Sequence, residues 1–159
     1  MRILGLDPGL RHTGWGLIEQ IGSHFDFLAA GVINPDTTLP LADRLAELHD
    51  SLKQVIQQWK PDSCAVEETF VNKNPSSTLK LGQARGIVLM TPALLHLPVG
   101  EYTPNQIKKT ITGVGHAEKK QVDMMVRTLL KTVPEGIPPD ASDALAIALC
   151  HAFMGNHLL

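Results

Sequence analysis

Acidic residues at the ends of apolar segments are the residues of this chain best suited to chemistry. Asp7 ends the apolar run at residues 3–6 and is followed at once by Pro8-Gly9. Because a carboxylate is costly to remove from water, it takes a partner there or keeps its proton. Asp7 therefore predicts a nearby cation, a set of backbone N–H groups or a metal ion. A simple Asp-Pro-Gly turn, in which the carboxylate bonds its own loop, explains this segment equally well.

Two more carboxylates, Asp140 and Asp143, open the last apolar segment. Residues three apart on a helix are neighbours, so both side chains would lie on one face of its first turn. They could share a ligand. The alternative is that Asp140 is a helix N-cap and that Asp143 interacts with the positive end of the helix dipole.

Glu67 and Glu68 follow a third apolar segment, at residues 64–66. Strand alternation sends two successive side chains to opposite faces of a sheet, so only one of them can face the side of Asp7. If the segments at residues 3–7 and 64–66 are parallel neighbours, that glutamate meets Asp7 at the carboxyl end of the sheet. The pattern leaves open which of the two it is.

Carboxylates at two strand ends and one helix start are what a magnesium or manganese site requires, because these hard cations take oxygen ligands. Two such ions, about 3.5 to 4 Å apart, can activate a water and stabilise the leaving oxygen of an in-line phosphoryl displacement. The pattern therefore indicates phosphodiester hydrolysis. The sequence has no convincing Ser-His-Asp or Cys-His arrangement, and no glycine-rich nucleotide fingerprint, to compete with this interpretation.

Basic residues near these segments are candidate nucleic-acid contacts. They are Lys108, Lys109, Lys119 and Lys120, with Lys73 and Arg85 upstream. The loop at residues 113–116 enters a helix with two lysines, where N–H groups and cations would hold a phosphate. Solvated lysines beside a flexible turn explain the same residues. Phe70 lies in a polar loop and could stack on an unpaired base, although core packing is the usual role of a phenylalanine.

Composition limits the class of protein. The chain has 159 residues, 43% hydrophobic and 19% charged, which fits one globular domain spanning 1–159. Its net charge of -2 means that any nucleic acid must bind locally rather than through overall charge. The apolar start is too short for a signal peptide and no stretch is long enough to span a membrane, so we expect a cytoplasmic protein. Cys64 and Cys150 lack metal-ligand spacing and are predicted to be reduced core thiols.

Hydrophobic periodicity supplies the elements that position the carboxylates. Segments at residues 3–7, 15–18 and 25–33 predict an antiparallel meander. Apolar residues from Leu41 to Trp59 recur at steps of three and four, which predicts a helix that Pro61 stops. Residues 64–66 then predict a strand parallel to the first.

The second half of the chain is predicted to be mainly helical. A helix at residues 78–95 is apolar on almost all sides, so we expect it to be buried on more than one face. A strand at 99–102 precedes a helix that opens with a capping box at Thr103 and ends at Gly113. Helices at about 117–131 and from Asp140 complete an α/β fold with a mixed five-stranded sheet flanked by helices.

Several motifs in this order resemble a known family. They are Leu-Gly-Leu-Asp-Pro-Gly at 4–9, Thr-Gly-Trp-Gly at 13–16, Ala-Val-Glu at 65–67, Leu-Lys-Leu-Gly-Gln-Ala-Arg-Gly at 79–86, Ala-Glu-Lys at 117–119 and Asp-Ala-Ser-Asp-Ala-Leu-Ala at 140–146. From residue 1 to about 151 the chain resembles the RuvC family of bacterial Holliday-junction resolvases. The resemblance implies an RNase H-like fold, a homodimer, two Mg²⁺ ions per active site for which Mn²⁺ could substitute, and paired nicks in opposite strands of four-way junction DNA. It also implies cooperation with the RuvA and RuvB branch-migration proteins.

The resemblance also assigns residues. The family's catalytic, metal-binding carboxylates fall on Asp7, Glu67, Asp140 and Asp143. Its basic residues near the scissile phosphate fall on Lys108 and Lys119, and its base-stacking aromatic on Phe70. Glu68 departs from the family pattern, where the best-known member has Gln; it could alter metal affinity or face away from the site.

Three other functions stay open at this point. A nuclease of the same fold could act on RNA or ribosomal RNA precursors, and a catalytically silent protein could bind junctions without cutting them. An actin-like or sugar-kinase-like nucleotide binder also starts with a strand that ends in Asp-x-Gly. That class needs two such domains around its nucleotide, whereas this chain supplies one.

Overall fold

The computed structural model describes residues 1–68 and 74–155. The elements are, in order, β1 (Arg2–Asp7), β2 (Thr13–Ile21), β3 (His24–Ile33), α1 (Leu41–Trp59), β4 (Ser63–Glu67), α2 (Pro75–Leu94), β5 (Val99–Tyr102), α3 (Pro104–Thr112), α4 (Lys119–Leu129) and α5 (Pro139–Gly155). The predicted order of strands and helices is confirmed.

The strands form one sheet in the order β3-β2-β1-β4-β5. The first three pair antiparallel, whereas β4 pairs parallel with both β1 and β5. The predicted mixed five-stranded sheet, with its meander and its parallel crossover, is therefore confirmed. It places the carboxyl ends of β1, β4 and β5 along one edge.

Strand alternation separates the core into two clusters, one on each face of the sheet. Leu4 and Leu6 of β1 pack with α1 and α2, and Ile3 packs with α5. The two clusters contain most of the fully buried large side chains. A residue's position in β1 or β4 therefore decides which group of helices its side chain meets.

Helix α2 differs from the prediction of burial on more than one face. Its buried residues are Ala84, Val88, Thr91 and Pro92. At 100° per residue these lie opposite a stripe that includes Leu79, Met90 and Leu94, whose exposed fractions are 65%, 44% and 59%. The prediction is wrong for the single chain because no other element in the described part of the chain covers this outer stripe.

The ends of α3 follow the predicted chemistry, whereas α2 begins at Pro75 rather than at the predicted residue 78, and α5 also begins earlier than predicted. Thr103 forms the capping box of α3 with Gln106, and Gly113 ends that helix in a left-handed conformation. Helix α5 begins at Pro139, one residue before the predicted start at Asp140. Asp140 thus lies inside the first turn, so the alternative that made it the N-cap is wrong.

Two further expectations concern the core and the membrane. Cys64 and Cys150 are buried free thiols, as predicted. Within residues 1–68 and 74–155, no helix has the length and apolarity needed to cross a membrane.

Candidate metal centre

Strands β1 and β4 place Asp7 and Glu67 side by side. Leu6 is the register partner of Val66 in this parallel pair, and the two acidic residues follow directly as the last residues of their strands. By alternation they point to the face that α5 covers. Their carboxyl groups share a hydrogen bond.

Helix α5 can bring its first turn to these strands because glycines of β1 and β2 lie beneath it. A Cβ added to Gly14 would lie 2.0 Å from the backbone oxygen of Asp140. A Cβ added to Gly5 would lie 1.9 Å from the backbone oxygen of Ala144. Any larger residue at either position would push the helix away from the sheet. The two glycines therefore set the distance between the helix and the carboxylates of the strands.

The first turn of α5 completes a cluster of carboxylates. One oxygen from each of Asp7, Asp140 and Asp143 can be chosen so that all three lie within 4.8 Å of one another, and the three residues are partly buried. Glu67 joins them through its hydrogen bond to Asp7. The structure thus brings together all four carboxylates named from the sequence. Glu68 follows the end of β4, and its backbone N–H donates to the Tyr102 carbonyl at 2.8 Å.

The electrostatics of the cluster are those of a site that needs a cation. Burial raises the pKa of Asp7 to about 8, and the surrounding carboxylates act in the same direction. Burial also raises the pKa values of Glu67 and Asp143, although nearby lysines oppose the rise in both cases. Without a metal ion, Asp7 would therefore keep a proton near neutral pH. A divalent cation with a preference for oxygen ligands fits this donor set, because it can replace that proton and relieve the repulsion.

Two predicted basic residues border the cluster. The Lys119 Nζ donates to Asp143 Oδ2 at 3.1 Å, and this hydrogen bond raises the pKa of Lys119. Lys108 and Lys119 line a cleft of about 230 Å³ together with Glu67 and Asp143. The two lysines therefore line the same cleft as the carboxylates, and an anionic substrate that enters it would meet their positive charge.

The remaining predicted contacts are distributed differently. Lys109 and Lys120 are exposed, and Lys120 lines a neighbouring hollow beside Lys119. Arg85 pairs with Glu101, and its Nε donates to the Glu67 carbonyl at 3.5 Å. Its guanidinium thus lies near the end of β4 with part of its charge already paired. Phe70 and Lys73 lie outside the described residues.

Asp123 is a contact residue that the sequence patterns did not single out. It accepts a hydrogen bond from Ser142 Oγ at 2.6 Å and pairs with Arg127 Nε at 3.3 Å. The bond to Ser142 ties α4, which carries Lys119, to the first turn of α5. The spacing of Asp123 and Arg127 is a recognisable helical ion pair. No local pattern indicates the bond between the helices.

Comparison with known proteins gives consistent results. The family model described as "Crossover junction endodeoxyribonuclease RuvC" matches residues 3–151. A protein of that name from Paramagnetospirillum magneticum is 57% identical over 152 residues, which cover 96% of this chain and 91% of the relative. Another from Rhizobium johnstonii is 54% identical and covers 96% and 89%.

A solved structure extends the similarity to the fold. Thermus thermophilus RuvC, determined in complex with a Holliday junction substrate, superposes with a TM-score of 0.92 at 34% identity, covering 99% of this chain and 96% of that one. The predicted RNase H-like fold is thereby confirmed. The match also confirms the resemblance seen in the sequence motifs. This chain belongs to the RuvC family of crossover junction endodeoxyribonucleases.

Proposed function

We propose that this protein resolves four-way (Holliday) DNA junctions by metal-dependent nicks in two opposite strands. The observation that carries the proposal is the carboxylate cluster at the sheet edge, bordered by Lys108 and Lys119, in a chain of this family. The Thermus thermophilus relative was solved with such a junction. A cleft lined by lysines beside carboxylates suits a phosphodiester as substrate.

In this proposal Asp7, Glu67, Asp140 and Asp143 hold two Mg²⁺ ions, for which Mn²⁺ can substitute. The chemistry that the ions supply when bound is activation of the attacking water and stabilisation of the leaving oxygen. Asp7 must release its proton for the site to load, because burial raises its pKa to about 8. Glu67 orients Asp7 through their shared hydrogen bond.

The basic residues bind the DNA around the cut. Lys119, which bonds to Asp143, and Lys108, which lines the same cleft, hold the non-bridging oxygens of the scissile phosphate in this proposal. Lys73, Arg85, Lys109 and Lys120 contact flanking phosphates in this proposal, and Phe70 stacks on an unpaired base. Such contacts give affinity without reading the DNA sequence.

Two equivalent cuts call for two equivalent sites, which a two-fold symmetric dimer supplies. The outer stripe of α2, with Leu79, Met90 and Leu94, is the proposed interface, because it presents apolar side chains that the single chain leaves exposed. We further propose that the dimer acts in the cytoplasm with the RuvA and RuvB branch-migration proteins.

The decisive experiment compares the wild-type protein with Asp7→Asn on a synthetic four-way junction, with and without Mg²⁺. We expect the variant to lose at least about 10³-fold in cutting rate, because the amide replaces a charged ligand, and to bind the junction with wild-type affinity. Nicking products are resolved on a denaturing gel, and binding is measured by fluorescence anisotropy.

Asp50→Asn is the matched control, since Asp50 is an exposed residue of α1 away from the cluster. It should cut at the wild-type rate. An RNA duplex of the same sequence serves as the second substrate and should not be cut. Wild-type nicking by Asp7→Asn would refute the proposed metal site, and preferential cutting of the RNA would refute the proposed substrate.

A further inference from the structure

A second group of cations lies on the other face of the sheet from the carboxylate cluster. Arg11, Arg44 and Lys80 line a pocket between the β1–β2 loop, the start of α1 and α2. We propose that this Arg44 pocket binds one backbone phosphate of a DNA arm close to the scissile phosphate. The inference rests on the proposed function and adds to it a specific contact outside the catalytic cleft.

The charges of the pocket point to an anion. None of the described residues that line it is acidic, and the rest are apolar side chains, Gly9 and two threonines, Thr13 and Thr37. Within the described part of the chain, Arg11, Arg44 and Lys80 form no ion pair. Three cations that face one hollow repel one another unless an anion lies between them.

Arg44 supplies the strongest observation. Its Nε is buried and has no hydrogen-bond partner among the described residues. A buried N–H of a charged group is expensive to leave unpaired. A phosphate oxygen is the natural acceptor, since the guanidinium matches phosphate geometry with two parallel hydrogen bonds.

The size of the pocket restricts the ligand. Its volume is about 40 Å³, which holds roughly three water-sized atoms. The non-bridging oxygens of one phosphate fit this space, whereas a nucleobase ring is too large to be enclosed in it. The pocket therefore suits contact with the sugar-phosphate backbone and carries no readout of the base sequence.

The position of the pocket is compatible with a phosphate of the substrate DNA. Gly9 and Arg11 belong to the loop that follows Asp7. Four residues span at most about 14 Å, and one DNA strand advances about 3.4 Å per phosphate along the helix axis. A DNA arm whose scissile phosphate lies at Asp7 therefore has phosphates, a few nucleotides away, within reach of Arg11.

The test measures junction binding in an Asp7→Asn background, so that no cutting occurs. Arg44→Gln should weaken binding by about tenfold and reduce the slope of log affinity against log salt by about one. Lys53→Gln is the matched control, because Lys53 is an exposed cation of the same helix that does not line the pocket. It should change neither quantity. Equal effects from the two variants would overturn the proposal.

Two further arms separate a phosphate contact from a structural role and from binding of free phosphate. Arg44→Lys keeps the charge and should keep the salt slope; a loss of slope equal to that of Arg44→Gln would overturn the proposal. Single neutral methylphosphonate linkages are placed in turn along each DNA arm. At one position we expect the neutral linkage to weaken junction binding by the Asp7→Asn parent and to leave binding by the Arg44→Gln variant unchanged. If inorganic phosphate stabilises the parent but not Arg44→Gln, while junction affinity is equal, the pocket binds free phosphate and the DNA assignment is wrong. If the wild-type protein cuts the junction normally while any of these results is negative, the pocket proposal is wrong and the proposed function is unaffected.

Discussion

At the scale of single residues, the site depends on how neighbours change the acidity of a carboxylate. Asp7 stands beside three other carboxyl groups and is buried, so its pKa is raised to about 8. Asp143 is partly buried, but its hydrogen bond to Lys119 opposes the rise in its pKa. The two residues belong to one cluster and still differ in how readily they give up a proton.

The raised pKa predicts how the stability of the metal-free protein depends on pH. Asp7 binds its proton more tightly in the folded chain than in the unfolded chain, where an aspartate has its ordinary pKa of 3.8. This contribution to stability is therefore complete below about pH 4 and is lost as the pH rises through about 8. Between pH 7 and 9, in EDTA, we expect the Tm of the wild-type protein to fall. Asp7→Asn should remove part of that fall and raise Tm at pH 9 by a few degrees.

Differential scanning calorimetry across this pH range measures the effect. The Asp50→Asn control should follow the wild-type profile. If the Tm of the wild type and the Tm of Asp7→Asn fall equally as the pH rises, Asp7 is not protonated in the metal-free site. Added Mg²⁺ should reverse the order of the two proteins, because only the wild type gains the full stabilisation of the bound ion.

The sequence was sufficient to find the carboxylates but not every detail of their arrangement. Strand alternation limited the choice to Glu67 or Glu68, and the motif match selected Glu67. The structure gives the physical reason, since Glu67 is next to Asp7 across β1 and β4. The roles of Asp123 and Arg44 depend on packing between segments far apart in sequence, for which no local pattern exists.

At the scale of elements, the contact between α5 and the sheet determines the geometry of the site. Gly5 and Gly14 remove the side chains that would separate the helix from β1 and β2. The site thus depends on two residues that contribute no functional group. Their spacing could be read from the sequence only as part of a motif, because the helix that needs the space lies more than a hundred residues later.

Gly14→Ala tests this dependence. The added Cβ would meet the Asp140 carbonyl, so the first turn of α5 must move away from the sheet. We expect the free energy of unfolding to fall by about 1–3 kcal/mol, measured by urea denaturation, and cutting at saturating Mg²⁺ to fall at least tenfold. Gly115→Ala is the control for unfolding, because a Cβ there has open space. If Gly14→Ala is as stable and active as the wild type, α5 does not rest on this glycine.

Helix α2 was predicted correctly as a helix, but the prediction of which of its faces are buried was wrong. Its apolar residues indicated burial on several sides, and the helix formed where expected. The apolar composition of a helix indicates that its surface will be covered, but it does not indicate whether the same chain or a partner chain covers it. Only the face with Ala84 and Val88 is covered within the described chain.

At the scale of the whole molecule, the exposed stripe of α2 predicts self-association. We expect sedimentation equilibrium at micromolar concentration to give twice the chain mass of 17.3 kDa. Met90→Glu should shift the protein to monomer, because a charge would be buried in the interface. Ile21→Glu is the matched control, since Ile21 is an exposed apolar residue of β2 away from α2. A monomeric wild type would refute the dimer, and an unaffected Met90→Glu would refute the interface.

One five-stranded sheet organises the described residues, and we propose that residues 1–159 fold as one domain. Both core clusters lie against β1, one on each face. Helix α5 contacts the strands on one side while α1 and α2 pack on the other. Loss of either layer would expose the same central strand.

The order of the elements separates the four proposed metal ligands along the chain. Asp7 and Glu67 leave the ribosome early, whereas Asp140 and Asp143 are translated only after α4. A nascent chain that has reached α4 contains all five strands but lacks Asp140 and Asp143, two of the four proposed metal ligands. We therefore expect a product terminated before α5 to be unable to cut DNA.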